Sequence, residues 1–293
     1  SQQVDDAVEA AEELLPLAEL ESDQQEKVLE DVRTLAEELK QFVPEPGPMA
    51  AISFLTDQGI ESYQYDWTKR DDLDGSKALS LLDHVGDHPI LAVIARDSSS
   101  AQQYAFVAKW TGKALDYVET LALPKMDEED RDKLKQLLHM ARPLLGRADK
   151  ATREMLLPAL ADGQVALVLD RKLESSQFIE TLPETEDSMP MLEPALVLGV
   201  SDADLLCKAM GEYMSVARDM LDGMKKVEGA DIPDDIRIPD PKIESTAAGA
   251  LYSYALPAEW GVDEQIVPNA GLGNGVVVLS LTHDHTQRLL GSQ

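Results

Sequence analysis

The chain has 293 residues, 44% of them hydrophobic and 28% charged, an ordinary globular composition with room for one large domain or two smaller ones. Lysine plus arginine number 26 and aspartate plus glutamate 55. The net charge of −29 repels phosphate backbones and anionic lipid, so neither nucleic acid nor membrane insertion is expected. The single cysteine, Cys207, excludes an internal disulfide and any cysteine-rich zinc or iron–sulfur centre.

The start, Ser1-Gln2-Gln3-Val4-Asp5, has neither the basic residues nor the apolar run of a signal peptide, and it begins in mid-pattern. It therefore reads as a segment trimmed from a longer chain. Residues 1–43 predict a helical hairpin arm. Val4, Ala7, Val8, Ala11, Leu14 and Leu15 recur at helical spacing, and Pro16 ends that run. Ser22-Asp23-Gln24-Gln25 has the form of a capping box led by Ser22. Val28, Leu35 and Leu39 then mark an apolar stripe opposite Glu26, Glu30, Glu37 and Glu38. Such a stripe must be covered, and the chain's own β-rich body is the expected cover, reached across a stiff Pro44–Pro48 hinge.

Residues 44–123 predict a β-rich unit with a following helix. Ala50–Leu55 is a strand, and Ile60–Trp67 alternates with period two, placing Tyr63, Tyr65 and Trp67 on one face. Two more strands are expected at Ala78–Leu82 and Pro89–Ala95, and a helix is capped from Asp97 and Ser98–Ser100. Residues 124–162 predict a helical insert. Its acidic first turn is Asp127–Asp130, and Pro143 interrupts its stripe.

Residues 163–293 predict a second β-rich unit. Gln164–Asp170 is a strand, Glu174–Pro194 a mobile loop, and Ala195–Val200 a central strand. Ser201-Asp202-Ala203-Asp204 caps a helix whose side carries Met210, Met214, Met220 and Met224. An acidic loop covers Lys225–Glu244. Strands follow at Ala250–Leu256, near Gln265–Val267 and at Val276–Thr282, with a short helix after Asp284.

The two β-rich portions share a layout. Tyr63-Gln64-Tyr65 parallels Tyr252-Ser253-Tyr254, and the second tyrosine precedes a helix-starting aspartate, Asp97 or Asp284, by 32 residues in one and 30 in the other. A duplication would give two similar sheet units. The fold class expected is α+β: antiparallel or mixed sheets in two duplicated β-rich units, a helical N-terminal hairpin and a helical insert.

Chemistry has few footholds. His84 and His88 stand four apart, but Gly86 and Pro89 favour a turn, and no glutamate follows His84 as a zinc-protease helix requires. His283 and His285 could share one side of a strand; the simpler expectation is that Asp284 caps the last helix and both histidines are solvated. Gly271-Leu272-Gly273-Asn274-Gly275 lacks the sixth-position glycine of a dinucleotide loop and reads as an Asn-Gly hairpin turn. Cys207 sits beside Leu206 on an apolar helix side and is expected to be an inert core residue. The methionine side is either core or an adaptable groove. Asp231, Asp234, Asp235 and Asp240 lack the spacing of a calcium loop.

Residues 194–202 (PALVLGVSD), 251–257 (LYSYALP) and 275–282 (GVVVLSLT) resemble uncharacterised bacterial envelope or secreted proteins classed only as domains of unknown function. The resemblance covers roughly the last hundred residues. It implies an extracytoplasmic location, periplasmic or secreted, and no catalytic residue. The cytoplasm is the alternative compartment. These readings converge on a non-catalytic binding or assembly module for a protein or small-molecule ligand, with no catalytic, cofactor-binding or metal-binding residue assigned. The alternative is a metal-dependent hydrolase using His84/His88 or His283/His285.

Overall fold

Apolar residues spaced three and four apart become helices in this chain, and runs alternating with period two become strands. The computed structural model describes residues 2–291 apart from 19, 58, 71, 228, 230 and 231. Two compact units result: Ser1–Asp72 with Gln102–Met126, and Leu73–Ala101 with Asp127–Gln293. The expected arm, residues 1–43, lies wholly in the first and residues 163–293 wholly in the second. Segments 44–123 and 124–162 are divided between them. The α+β class with antiparallel sheets and a pair of N-terminal helices is as expected.

The first unit opens with α1 (Gln2–Leu14) and α2 (Ser22–Lys40), joined through a 3-10 turn that contains Pro16. Glu21, not Ser22, is the N-cap of α2. Its amide donates to Gln24 Oε1 at 3.2 Å, so the box lies one residue earlier than its sequence suggests. Two strands follow, β1 (Met49–Thr56) and β2 (Gly59–Asp66), paired antiparallel from Met49↔Asp66 to Thr56↔Gly59 as a separate two-stranded ribbon. Pro44–Pro48 does not act as a free hinge. Glu45 bridges to Lys69, and the Trp67 amide donates to the Pro48 carbonyl at 3.0 Å. Gly47 is required there, because a Cβ would stand 2.1 Å from the Trp67 carbonyl oxygen.

The unit closes with α3 (Ser100–Tyr117), and α3 rather than the expected β-rich body meets the arm, through polar and aromatic side chains that leave Leu39 of the stripe exposed. Asp31 accepts from Lys113 and, at 2.5 Å, from the Tyr117 hydroxyl. Glu38 accepts from Lys109 and from Trp110 Nε1 at 2.9 Å. Phe42 meets Phe106 edge to face at 5.2 Å. Burial works to raise the Asp31 pKa, but the bonds from Lys113 and Tyr117 outweigh it and hold the carboxyl below its usual range. Burial, then the neighbouring Asp31, pushes the Tyr117 phenol well above 10.

The second unit is built on seven antiparallel strands in the order β3-β4-β5-β9-β8-β7-β6. They are β3 (Leu91–Arg96), β4 (Gln164–Ser175), β5 (Met189–Gly199), β6 (Lys242–Thr246), β7 (Gly249–Ser253), β8 (Asn269–Leu272) and β9 (Val276–Ser280). Ala78–Leu82 is no strand. A 3-10 turn covers Ser80–His84, because Leu81 is buried and its amide donates to Gln164 Oε1. Nor is Gln265–Val267 a strand: Asp263 accepts the Gln265 amide and turns the chain before β8 begins. The expected loop 174–194 shrinks to residues 176–188, because β4 runs on to Ser175 and β5 starts at Met189. Pro190 and Pro194 are tolerated because β9 pairs with β5 only from Ala195 on, leaving 189–194 paired on one side.

Helix α4 (Glu128–Ala151) runs through a π-helical turn at Thr152–Leu156 into α5 (Leu157–Ala159). The remaining helices are α6 (Ala203–Met224) and α7 (His283–Leu290). One sheet face buries Ala166, Val168, Val197, Val276 and Val278 against Leu289 and Leu290 of α7 and against Leu81. The other buries Val277 against Leu206 of α6 and Ala159 of α5. Helix α4 lies on α6, where Arg147 reaches Glu212, Asp219 and Ser215 at 2.8, 2.5 and 3.0 Å. Two equal sheet units, as a duplication implies, are not supported: the first hairpin stays a two-stranded ribbon, while its counterpart β6–β7 joins the large sheet. No helix among the described residues is long and apolar enough to cross a membrane.

Candidate functional site

Two features of the described residues exceed what the fold itself needs, one in each unit. The first is the β1–β2 ribbon. Its alternation puts Ala50, Ile52 and Phe54 of β1 on the same face as Tyr65, Tyr63 and Glu61 of β2. Trp67 continues that face, as the sequence predicts. Phe54 meets Tyr63 edge to face at 6.1 Å, and Tyr65 lies at 6.1 Å and 22° to Trp67. The rings pack on one another, yet Ile52, Phe54, Tyr63, Tyr65 and Trp67 each remain between 50% and 59% exposed. On the opposite face Leu55 and Ile60 are exposed as well.

The second feature is a buried charge network at one end of the large sheet. Asp170 and Glu193 alternate with Val168 and Ala195, so they point inward from β4 and β5, and they are 4% and 2% exposed. Strand β4 carries a bulge between Asp170 and Leu173. The bulge frees the amides of Lys172 and Leu173, and both donate to Glu193 Oε2, at 3.0 and 2.9 Å. Arg288 Nη2 adds a third bond to that oxygen at 2.8 Å, while Glu193 Oε1 accepts from the Thr282 hydroxyl at 2.9 Å. Asp170 faces Lys172 at 3.3 Å and Arg288 at 3.5 Å. Two carboxylates thus meet two cations, the condition for keeping acids buried.

His285 lies against this network with no exposed surface, and neither ring nitrogen has a partner among the described residues. Burial is the main cause that holds its pKa below 6.5. Glu193 and Asp170 pull it up, and Arg288 and Lys172 push it down. A cleft of about 240 Å³ opens beside the network, lined among others by Lys172, Glu193, Gln265, Thr282, His283 and Arg288. The bulge, the closing carboxylate and the last helix are therefore one construction: Glu193 ties β4, β9's continuation and α7 together.

The expected site residues fare unevenly. His84 ends the 3-10 turn, and its Nδ1 lies 2.9 Å from the Leu289 carbonyl, a tether for α7. His88 has a positive φ of 54° and is almost fully exposed beside Asp87. Thr282, not Asp284, caps α7, accepting the His285 amide at 3.2 Å. The expectation that both histidines near it are solvated fails: His285 is completely buried, because the third residue of this helix faces the sheet, and His283 Nε2 is buried too. Cys207 is exposed rather than core, since it lies one position round the helix from buried Leu206. Met210 and Met224 are exposed, and Met214 Sδ lies 3.5 Å from the Tyr254 hydroxyl.

Gly271 and Leu272 end β8, and residues 273–275 turn into β9 with Gly275 at φ 76°, so a strand and not a phosphate-receiving helix follows. Of the acidic loop cluster, Asp231 lies outside the described residues, and Asp240 is paired with Arg218 at 2.7 Å. Among the described residues no three His, Cys, Asp or Glu side chains converge to hold a metal ion. Sequence reasoning missed Asp170, Glu193 and Arg288. Period two could not single out the two acids, because residues 165–169 and 195–198 are apolar at every position, and it is the pairing of Asp170 with Glu193 that sets both on the inward row. No family model matches the chain, and no curated protein or solved structure matches it.

Proposed function

We propose that this chain is a non-catalytic extracytoplasmic binding or assembly module that works through the aromatic face of the β1–β2 ribbon. The observation that carries the reading is the exposure of Ile52, Phe54, Tyr63, Tyr65 and Trp67 on one contiguous face. Contiguous exposed apolar surface marks interaction sites, and aromatic residues are enriched there. The net charge of −29 selects against phosphate-rich partners, and these five uncharged side chains match an apolar surface. The extracytoplasmic placement is supported by the resemblance of residues 194–202, 251–257 and 275–282.

The test is a triple variant, Tyr63→Thr, Tyr65→Thr and Trp67→Thr, in which threonine keeps the strand preference. Side chains meant for a partner can be lost without harm to the free fold. The variant is expected to melt close to the parent and to lose binding of an apolar fluorescent dye. A large fall in melting temperature would show that the rings hold the chain's own fold, and the reading would be abandoned.

A further inference from the structure

The ribbon has edges as well as a face, and the two edges differ. The Trp67 amide bonds the Pro48 carbonyl. The antiparallel alternation then assigns Ala50, Ile52 and Phe54 to the hydrogen-bonded pairs with β2, so Ala51, Ser53 and Leu55 turn their amides and carbonyls outward. No strand among the described residues pairs with that outer side. Natural edge strands are usually blunted by lysine, proline, a bulge or an inward charge. Strand β1 reads Met-Ala-Ala-Ile-Ser-Phe-Leu-Thr: eight residues with no charge, no proline and an unbroken register. Its neighbour β2 carries Glu61 and Asp66. The edge strand β6 of the large sheet is only five residues long and carries Lys242 and Glu244.

We infer that the outer edge of β1 pairs antiparallel with β1 of a second copy of this chain, making one four-stranded sheet across a twofold axis at Ser53. This rests on the reading of the ribbon as the binding surface and names its partner. The charge pattern selects the edge at which a second copy can pair. Self-pairing through β1 brings no charged side chain opposite another and keeps Glu61 and Asp66 on the two outer strands, whereas self-pairing through β2 would bring the acids of both copies onto the two central, adjacent strands. Twofold symmetry lets an outward residue lie opposite its own copy, and Ser53 is the middle one of the three. With Ser53 opposite its own copy, Ile52 faces Phe54 of the second copy and Phe54 faces its Ile52. The half-exposed row Tyr63–Ile52 continues into the second ribbon. A two-stranded ribbon is marginal by itself, and four strands with an apolar face are not.

The experiment uses the whole chain. Light scattering coupled to size exclusion should show a mass twice that of the chain at high concentration, falling toward one on dilution. Ser53→Lys places like charges opposite each other at the axis and should weaken the dimer by roughly tenfold or more, while Ser62→Lys, on the β2 edge, should leave it intact. In a Cys207→Ser background, Ser53→Cys should give a disulfide-linked dimer on oxidation and Ser62→Cys should not, since directly opposed residues bring their Cα atoms to about 5.5 Å. A chain that is monomeric at every concentration overturns the inference. So does a dimer that Ser62→Lys disrupts and Ser53→Lys does not. Either result, with the triple threonine variant still stable, leaves the ribbon as a surface for a different partner; a triple variant that melts far lower removes both readings.

Discussion

Glu193 is one carboxylate serving four donors, and its replacement by alanine separates a structural network from an ornamental one. The variant removes the acceptor of the Lys172 and Leu173 amides, of Arg288 and of the Thr282 hydroxyl. Two bulge amides are then left buried with no partner, at about 1–3 kcal/mol each. Arg288 keeps only the longer contact with Asp170 at 3.5 Å. Losing one partner of a buried ion pair costs about 3–5 kcal/mol by itself, and these effects overlap, so about 4–6 kcal/mol is expected in total. For a unit of this size each kcal/mol moves the melting point by about 2–4 °C, so a fall of at least about 10 °C is expected. Circular dichroism melts and urea titrations at neutral pH measure it. Glu193→Gln should cost less, because its carbonyl oxygen can still accept from the bulge amides. Adding Arg288→Met to Glu193→Ala should cost less than the sum of the single changes, since the stranded cation is gone. A shift of only a degree or two for Glu193→Ala, or strict additivity with Arg288→Met, would refute the view that this carboxylate ties β4 to α7.

Two further outcomes are expected. Burial holds the His285 pKa below the 6.5 of an exposed histidine, so the unfolded chain takes up the proton first. The stability contribution of neutral His285 is complete above about pH 6.5 and is lost below it, by up to about 1.4 kcal/mol per pH unit until the folded pKa is reached. His285 faces Asp170 and Lys172 from β4, Glu193 from β5 and Arg288 from its own helix, and His285→Leu removes its titration without touching theirs. Melting temperatures from about pH 8 to about pH 5 should therefore fall less steeply in the variant, and an equal slope counts against the argument. In the first unit, Asp31→Asn weakens the charged acceptor of Lys113 and Tyr117 and should cost about 1–2 kcal/mol near neutral pH. The Asp31 pKa is lowered by folding, so that contribution is present above about pH 4 and disappears as the carboxyl protonates; Asp31→Asn should match the parent in strong acid, and an undiminished gap there would rule the mechanism out.

The sequence foretells an element best where one residue type decides it locally. The helix starts expected at the acidic run Asp127–Asp130 and at Ser201–Asp204 are both present, with Asp127 and Asp202 as the caps, each accepting an amide three residues on, because a short acidic side chain can satisfy an orphan donor without tertiary help. The short continuous apolar runs 165–169 and 276–279 give strands for an equally local reason, being rich in β-branched residues and bounded by turn signals. Local signals mislead where a distant group makes the choice. Residues 78–82 look like a strand, yet Gln164, more than eighty positions away, captures the Leu81 amide and completes a 3-10 turn. Residues 189–194 look like a loop because of their prolines, yet β9 stops at Ala195 and leaves the proline side unpaired. Glu193 seemed a loop acid for the same reason, and with it the whole buried network dropped from view.

The ribbon poses the opposite problem. Its shared face for Tyr63, Tyr65 and Trp67 is legible from period two alone, whereas residues 165–169 are apolar on both faces and the inward row Ala166, Val168 and Asp170 emerges only in the fold. Nothing in either pattern says which row will be covered. What decides is the element supplied across from it. Leu289 and Leu290 of α7 seal the row of β4, and the unit that holds the ribbon spends its own helices on one another: α2 on α1 and α3, through Asp31, Glu38 and Phe42. Among the described residues no helix of that unit covers Ile52, Phe54 and Tyr65, and Leu14 of α1, Leu39 of α2 and Val107 of α3 are left exposed as well. An apolar face left over in this way is not a packing defect to be filled by a bulkier neighbour. The ribbon's uncharged edge lets it gain strands as well as contacts, so a partner that adds only side-chain surface would satisfy the face and leave the outward amides of Ala51, Ser53 and Leu55 to water. A strand laid along β1 satisfies both at once, which is why the edge and the face are best explained by the same occupant.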